Sequence, residues 1–300
     1  MKTASLISVV IPTHSGSQVI CRAVDSVLSQ TYPNIEVVVV DDNGKGTEEQ
    51  IATEKAMKKY ASDDRVIYFA HDVSLHGSAA RNTGVKHSSG KFIALLDDDD
   101  YFLPNNLEEH YETQKCLDDS YGVTFCGMHI VRGKMEEDII AKQEGDVLVD
   151  FLMGRMRVGS SLVMIKRSVY DEFNGFDESF KRHQDWEFLT RIFTKYKLAS
   201  THKIGVVKVN LDRNSATNPQ KFEYNRIYFL TKMKGIIDSL PVNTARDIYD
   251  MHYTSIAKEY FRSRQFVGVI RWCLKTSRPL GCMFDILRSA LVYFSKIAKI

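Results

Sequence analysis

The chain has 300 residues, 44% of them hydrophobic and 26% charged, with a formal net charge of +2. That make-up is globular and excludes a disordered chain, and the near-neutral balance gives no whole-chain case for nucleic-acid binding. Charge is unevenly placed, residues 1–220 summing to −6 and residues 221–300 to +8, so the basic end is expected to meet an anionic surface such as a membrane.

The five cysteines, Cys21, Cys116, Cys126, Cys273 and Cys282, are scattered and never spaced C-x-x-C. This argues against a disulfide framework or zinc site and fits a reducing compartment. The apolar run Leu6–Ile11 is too short for a signal h-region. No stretch reaches the roughly 20 apolar residues of a bilayer span. The expectation is a cytoplasmic protein, peripheral at the inner face of the cell membrane where its basic end touches lipid.

LISVVIPT, residues 6–13, is a continuous β-branched run, as in a strand buried on both faces. Val19, Ile20, Ala23, Val27 and Leu28 then recur at helical spacing, stopping before Tyr32-Pro33. IEVVVVDD (35–42) is a second strand, 47–60 a helix, VIYFA (66–70) a strand, 78–87 a helix and KFIALL (91–96) a fourth strand. Such alternation predicts an α/β fold with a mostly parallel sheet, ligands gathering at the carboxyl ends of its strands. A helix at 105–117, strands at 122–131 and 159–166, a short helix and turn at 171–180 built around Asn174-Gly175 and a helix at 182–193 follow. Beyond about residue 220 the pattern is helical, which places a domain boundary near Asn218-Pro219.

Acidic clusters end two of the predicted strands: Asp41-Asp42 the second, Asp97-Asp98-Asp99-Asp100 the fourth. Crowded carboxylates repel one another and are costly to desolvate without a compensating cation. In an extended chain alternate residues point the same way, which puts Asp97 and Asp99 on one side and Asp98 and Asp100 on the other. Two carboxylates on one side suit Mg²⁺ or Mn²⁺, which leave positions for phosphate oxygens. Asp98 and Asp100 are expected to cap the helix after Pro104 or accept from loop amides. No G-x-G-x-x-G follows the first strand, where IPTHSGS stands, and no P-loop is present. Arg81 either pairs with a site carboxylate, touches a phosphate or is an ordinary surface arginine. Asp185 is either a dipole-favoured carboxylate at a helix start or a general base facing an acceptor hydroxyl. Glu187 and Arg191, four apart, form a structural pair.

VVIPTHSG, VVVVDDNG, AARNTGVKHSSGKFIALLDDDDYFLP, RSVYDEFNGFDESF and QDWEFLTR occur in the order and approximate spacing of the inverting family 2 glycosyltransferases of GT-A fold, which the chain resembles over about residues 5–195. The resemblance implies an enzyme moving a sugar from a nucleoside-diphosphate sugar, usually of uridine or thymidine, to a hydroxyl of a saccharide or lipid-linked acceptor in cell-surface polysaccharide synthesis. It implies a nucleoside pocket lined by Pro12, Thr13 and Asp42, with Asp42 reaching the base. Asp97-Asp98-Asp99 matches the family's D-x-D signature: Asp99 holds Mn²⁺ or Mg²⁺, Asp97 lies against the ribose or the cation, and Asp98 and Arg81 count with the donor site. Asp185 matches the catalytic base. His14, Ser15 and Gln184 depart from the usual Tyr, Asn and acidic residue, which leaves the donor sugar open. Arg213 is expected either to close over the diphosphate or to lie in a solvated loop.

Residues 1–218 are thus expected to form the GT-A domain and 219–300 a helical region. Met283, Ile286, Leu287, Ala290, Leu291, Phe294, Ile297 and Ala298 share one helical stripe, with Arg288, Lys296 and Lys299 off it. Such a helix rests on an anionic bilayer, on its own domain or on a second subunit of a homodimer. Rival functions are a nucleotidyltransferase, which wants a basic Gly-rich loop that IPTHSGS does not supply, and a catalytically silent sugar-nucleotide-binding module, which is expected to lose Asp99 or Asp185.

Overall fold

The computed structural model describes residues 4–133, 135–209 and 218–297, the last eight of these in backbone only. Arg213, Ala298 and Lys299, and the side chains of Ala290, Leu291, Phe294, Lys296 and Ile297, lie outside that description. Two compact units are present: Met1–Leu148 with Met156–Arg213, and Val149–Arg155 with Asn214–Ile300.

In the first unit, strands and helices alternate: β1 (Ile7–Thr13), α1 (Ile20–Leu28), β2 (Ile35–Asp41), α2 (Glu48–Met57), β3 (Val66–Ala70), α3 (His76–Lys86) and β4 (Phe92–Leu95). Then come β5 (Asp100–Phe102), α4 (Asn106–Lys115), β6 (Tyr121–Arg132), β7 (Met135–Ile139), α5 (Leu148–Leu152), β8 (Val163–Lys166), α6 (Arg167–Glu172), α7 (Gln184–Phe193) and β9 (Lys197–Val209). The strand order is β3-β2-β1-β4-β8-β6-β9-β5, with β7 on β6.

The first four strands are parallel, in keeping with their largely apolar runs. Alternate side chains of β2 serve opposite faces: Val37 and Val39 join the core under α1, while Val38 and Val40 pack with Ala80 of α3. The other half of the sheet is more mixed than expected. β8 runs antiparallel to both β4 and β6, β5 is antiparallel to β9, and β9 is parallel to β6. Sequence order reverses at β1, whose neighbours are β2 and β4, so the carboxyl ends of these three strands open a crevice of the kind that collects ligands.

The second unit is helical: α8 (Pro219–Lys232), α9 (Lys234–Asp238), α10 (Val242–Arg262), α11 (Phe266–Cys273) and α12 (Pro279–Ile297), with part of α5. Asn218 caps α8 by accepting from the Gln220 and Lys221 amides, and Pro219 occupies the first turn, where a missing N–H costs nothing. α11 and α12 each bury one face on α10, Trp272 and Ile286 joining Ile256 and Tyr260 in one cluster. The sulfurs of the free thiols Cys273 and Cys282 lie 3.1 Å apart in it. No helix among the described residues is long and apolar enough to cross a membrane.

Candidate active site

β4 stops at Leu95 and the chain then turns, the Asp100 amide donating to the Asp97 carbonyl at 3.1 Å. The aspartates therefore do not alternate along an extended strand, and each finds its own partners. Asp97 Oδ1 accepts from Arg81 Nη2 at 2.7 Å and Ser160 Oγ at 2.9 Å. Asp98 Oδ2 accepts from Thr13 Oγ1 at 2.6 Å. The backbone carbonyl of Asp99 takes Arg22 Nη2 at 2.5 Å. Asp100, buried in β5, accepts from Ser161 Oγ at 2.6 Å and from Lys208 Nζ. The expected helix-capping roles of Asp98 and Asp100 are thus corrected. Asp98 is tied to the end of β1 and Asp100 to β9, because the turn aims both side chains into the sheet edge.

Two cations make the crowding tolerable. Burial by itself would raise the Asp97 pKa, but the charges of Arg81 and Lys208 outweigh it and hold that carboxyl at about 2. Burial pushes Asp100 up to about 6 against the pull of Lys208, with the Asp97 charge adding to the push. Lys208, 3.8 Å from Asp97 Oδ2, has its own pKa raised, because the aspartates overcome its desolvation. All three groups are charged at neutral pH.

Asp41 and Asp42 divide their work. Asp41 anchors the following loop, accepting from the Asn43 amide at 3.0 Å and from the Tyr68 hydroxyl at 2.7 Å. The carboxylate of Asp42 is held by His71 Nδ1 and the Leu75 amide, both at 2.7 Å, the His76 amide at 2.8 Å and Ser74 Oγ at 3.0 Å. Gly16 is required where it stands: a Cβ there would lie 1.9 Å from Asp98 Oδ2 and 2.4 Å from Thr13 Oγ1.

These groups converge. Pro12, Thr13, Asp42, Arg81, Asp97, Asp98 and Asp99 line one cavity of about 280 Å³, with His14, Gly77 and Ala80. A second cavity of about 460 Å³ shares Asp97 and Asp99 and adds Asp100, Lys208, Met128, Ile130, Arg132, Glu137 and Arg157. The acidic turn therefore stands between two cavities.

Asp185 is not among the residues lining either cavity. It sits in the first turn of α7, Oδ1 accepting from the Trp186 amide at 2.9 Å. Arg81 provides the link, donating through Nη1 to Gln184 Oε1 at 2.7 Å while Nη2 holds Asp97. Asp185 is close enough to feel the charges of Arg81, Asp97 and Lys208; burial dominates and raises its pKa. Glu187 and Arg191 form the expected pair, and Arg191 also donates to the carbonyls of Phe173 and Gly175.

Sequence reasoning missed Lys208 and His71. Nothing local in GVVKV, at the end of β9, told that its lysine would meet Asp100 across the β5–β9 pairing.

The family described as Glycosyl transferase family 2 matches residues 8–146. An uncharacterised glycosyltransferase of Bacillus subtilis is 30% identical over 200 residues, covering 64% of this chain and 69% of that protein. One of Rickettsia prowazekii is 28% identical over 240 residues, covering 76% and 72%. An Escherichia coli UDP-Glc:alpha-D-GlcNAc-diphosphoundecaprenol beta-1,3-glucosyltransferase is 35% identical over 103 residues, 34% of this chain and 38% of its own. Among solved structures, S. aureus TarS 1–349 in complex with UDP-GlcNAc superposes with a TM-score of 0.60 at 16% identity, covering 88% and 89% of the two chains. A Pyrobaculum calidifontis mannosyltransferase in complex with GDP-Man and Mn²⁺ gives 0.61 at 16% identity, covering 97% and 82%. The structural likenesses carry the fold and the sequence likenesses the lineage; together with an acid-rimmed crevice at the reversal of strand order, they establish that the chain belongs to glycosyl transferase family 2 and is a glycosyltransferase of GT-A fold.

Proposed function

We propose that the protein transfers a sugar, with inversion, from a nucleoside-diphosphate sugar to a hydroxyl of a saccharide or lipid-linked saccharide. The observation that carries this reading is the Arg81 fork, which joins the acidic turn to the residue before Asp185. The cavity lined by Pro12, Thr13 and Asp42 is read as the nucleoside side, and the one bounded by Lys208, Arg132 and Arg157 as the acceptor side. A uridine or thymidine diphosphate sugar is the donor class; the TarS neighbour was solved with UDP-GlcNAc, and the E. coli relative is named for UDP-Glc and a diphosphoundecaprenol-linked acceptor. Five unpaired cysteines suit a cytoplasmic setting.

The described residues hold no cluster of three or more His, Cys, Asp or Glu side chains arranged for a metal. Asp99 would hold a hard divalent cation, with Asp97, engaged by Arg81 and Ser160, lending its charge beside it. Bound there, Mn²⁺ or Mg²⁺ would supply positive charge to offset that developing on the leaving diphosphate.

Asp185 is assigned as base. The acceptor oxygen bonds to the anomeric carbon as the carbon–oxygen bond to the diphosphate breaks, its electron pair leaving with the diphosphate and the hydroxyl proton passing to Asp185. A carboxylate is too weak to remove that proton beforehand, so transfer accompanies attack, and the desolvation that raises the Asp185 pKa makes it a better acceptor. Asp185→Asn is expected to lower transfer by at least about 10²-fold with UDP affinity unchanged. Release of nucleoside diphosphate from a panel of sugar nucleotides, with Mn²⁺ and with EDTA, is the measurement. Near-normal turnover by Asp185→Asn removes it from the role.

A further inference from the structure

The sequence pattern put one apolar stripe on the C-terminal helix, but the packing divides it. Cys282 and Ile286 of α12 are buried against α10, whereas Leu280, Met283, Phe284 and Leu287 are exposed. α11 is divided the same way: Val269, Trp272 and Cys273 face the cluster, and Phe266, Val267 and Ile270 face out, followed by exposed Leu274. Both helices bury their inner faces on one cluster, so both outer faces point away from it. Val267 is 84% and Leu280 82% exposed, far more than a helix shows when its apolar side chains serve its own core. Scattered exposed apolar residues need no explanation, but seven on two adjacent helices and an eighth directly after the first do.

The charge around these side chains selects the occupant. Between residues 262 and 289 there are six basic residues, Arg262, Arg264, Arg271, Lys275, Arg278 and Arg288, and one acid, Asp285. All six are exposed; Arg271 pairs with Glu223 and Arg262 with Glu259, so the excess is carried by Arg264, Lys275, Arg278 and Arg288. A surface that is apolar at its centre and basic at its edges complements an anionic bilayer, where aromatic and aliphatic groups enter the acyl boundary and arginines meet the headgroups. A second copy of the chain would bring the same excess of positive charge against it.

We propose that the outer faces of α11 and the first half of α12 form a docking surface for anionic membrane. The contact is independent of the transferase reading, since lipid binding by this face requires nothing of the acidic cavities.

The test is co-sedimentation of the full chain with vesicles of phosphatidylcholine alone and of phosphatidylcholine mixed with phosphatidylglycerol. Binding is expected to the anionic vesicles only and to weaken with salt. The double variant Val267→Asp/Leu280→Asp, altered only at exposed positions, is expected to lose at least about tenfold in binding while its melting temperature and nucleoside diphosphate release are unchanged. Arg278→Glu/Arg288→Glu, which leaves the apolar side chains in place, is expected to weaken binding as well. Failure of the wild type to sediment with anionic vesicles, or equal binding by the aspartate variant, overturns the proposal. So does light scattering that finds a wild-type dimer which the aspartate variant converts to monomer, with no vesicle binding by either.

Discussion

Arg81 sends one guanidinium nitrogen to Asp97 and another to Gln184, with its side chain nearly buried. A planar fork serves two acceptors in fixed directions, whereas a lysine ammonium, with its donors on one flexible point, fixes neither. Arg81→Ala leaves the Asp97 carboxylate facing Ser160 and Lys208 only. Removing one partner of a buried pair costs about 3–5 kcal/mol; Asp97 retains some exposure, so about 2–3 kcal/mol is expected. Arg81→Lys should recover part of that stability but not the orientation of α7, so its urea midpoint rises above that of the alanine variant while transfer stays depressed. An alanine variant that melts like the wild type contradicts the fork's structural share. The sequence offered Arg81, on a helix just before the acidic strand, as a partner for some carboxylate of the site, but the choice of Asp97 came from the fold. The sequence could not offer Lys208 or His71, whose contacts depend on strand pairing and on a loop path that no local pattern encodes.

At the scale of elements, the legible pieces were those whose pattern matches one environment. β1, β2 and β4 are mostly apolar because both faces are covered, the edge strand β3 is half-buried along its length, and α7 shows its apolar stripe plainly. β9 escaped notice because its half-polar residues are bent at His202, where φ is 55°, and its pairings lie far off in sequence. The aspartate turn was misread as extended because a run of identical residues carries no turn signature. α4 supplies a prediction of its own. His110 packs beneath β6 with Nδ1 2.8 Å from Thr124 Oγ1, and complete burial drops its pKa from 6.5 to about 3. The unfolded chain therefore binds this proton more readily than the fold does. The resulting stability is intact above pH about 6.5 and is lost progressively as pH falls towards about 3. At pH about 5 the loss should reach about 2 kcal/mol. His110→Gln, which keeps a side chain able to meet Thr124, is expected to melt at nearly the same temperature at pH about 7 and pH about 5 apart from the carboxylates' contribution. An acid limb of the same steepness in both proteins excludes His110 as its source.

At the scale of the whole molecule, the acidic cavities and the basic helical surface belong to different compact units, so ligands can probe one without the other. A ligand that binds only the native state raises its melting point, by about 2.7 kcal/mol when present at a hundred times its Kd. For a unit of roughly 200 residues that corresponds to a shift of roughly 5–10 °C. Should the units melt in separate transitions, only the one belonging to the sheet is expected to move, and a single averaged midpoint would understate the effect. UDP or dTDP with Mn²⁺ should produce this shift, and EDTA should remove most of it. On the proposed reading Asp99 would hold the cation, beside an Asp97 already engaged by Arg81 and Ser160. Asp99→Asn should keep the small metal-free shift and lose the Mn²⁺-dependent part, whereas Asp185→Asn should keep both. If neither nucleotide moves the sheet unit's transition with Mn²⁺ present, the first cavity is not a nucleoside diphosphate site. A shift that survives intact in Asp99→Asn assigns the metal to another carboxylate, and a full shift without any nucleoside diphosphate release from the sugar-nucleotide panel reduces the protein to a binding module.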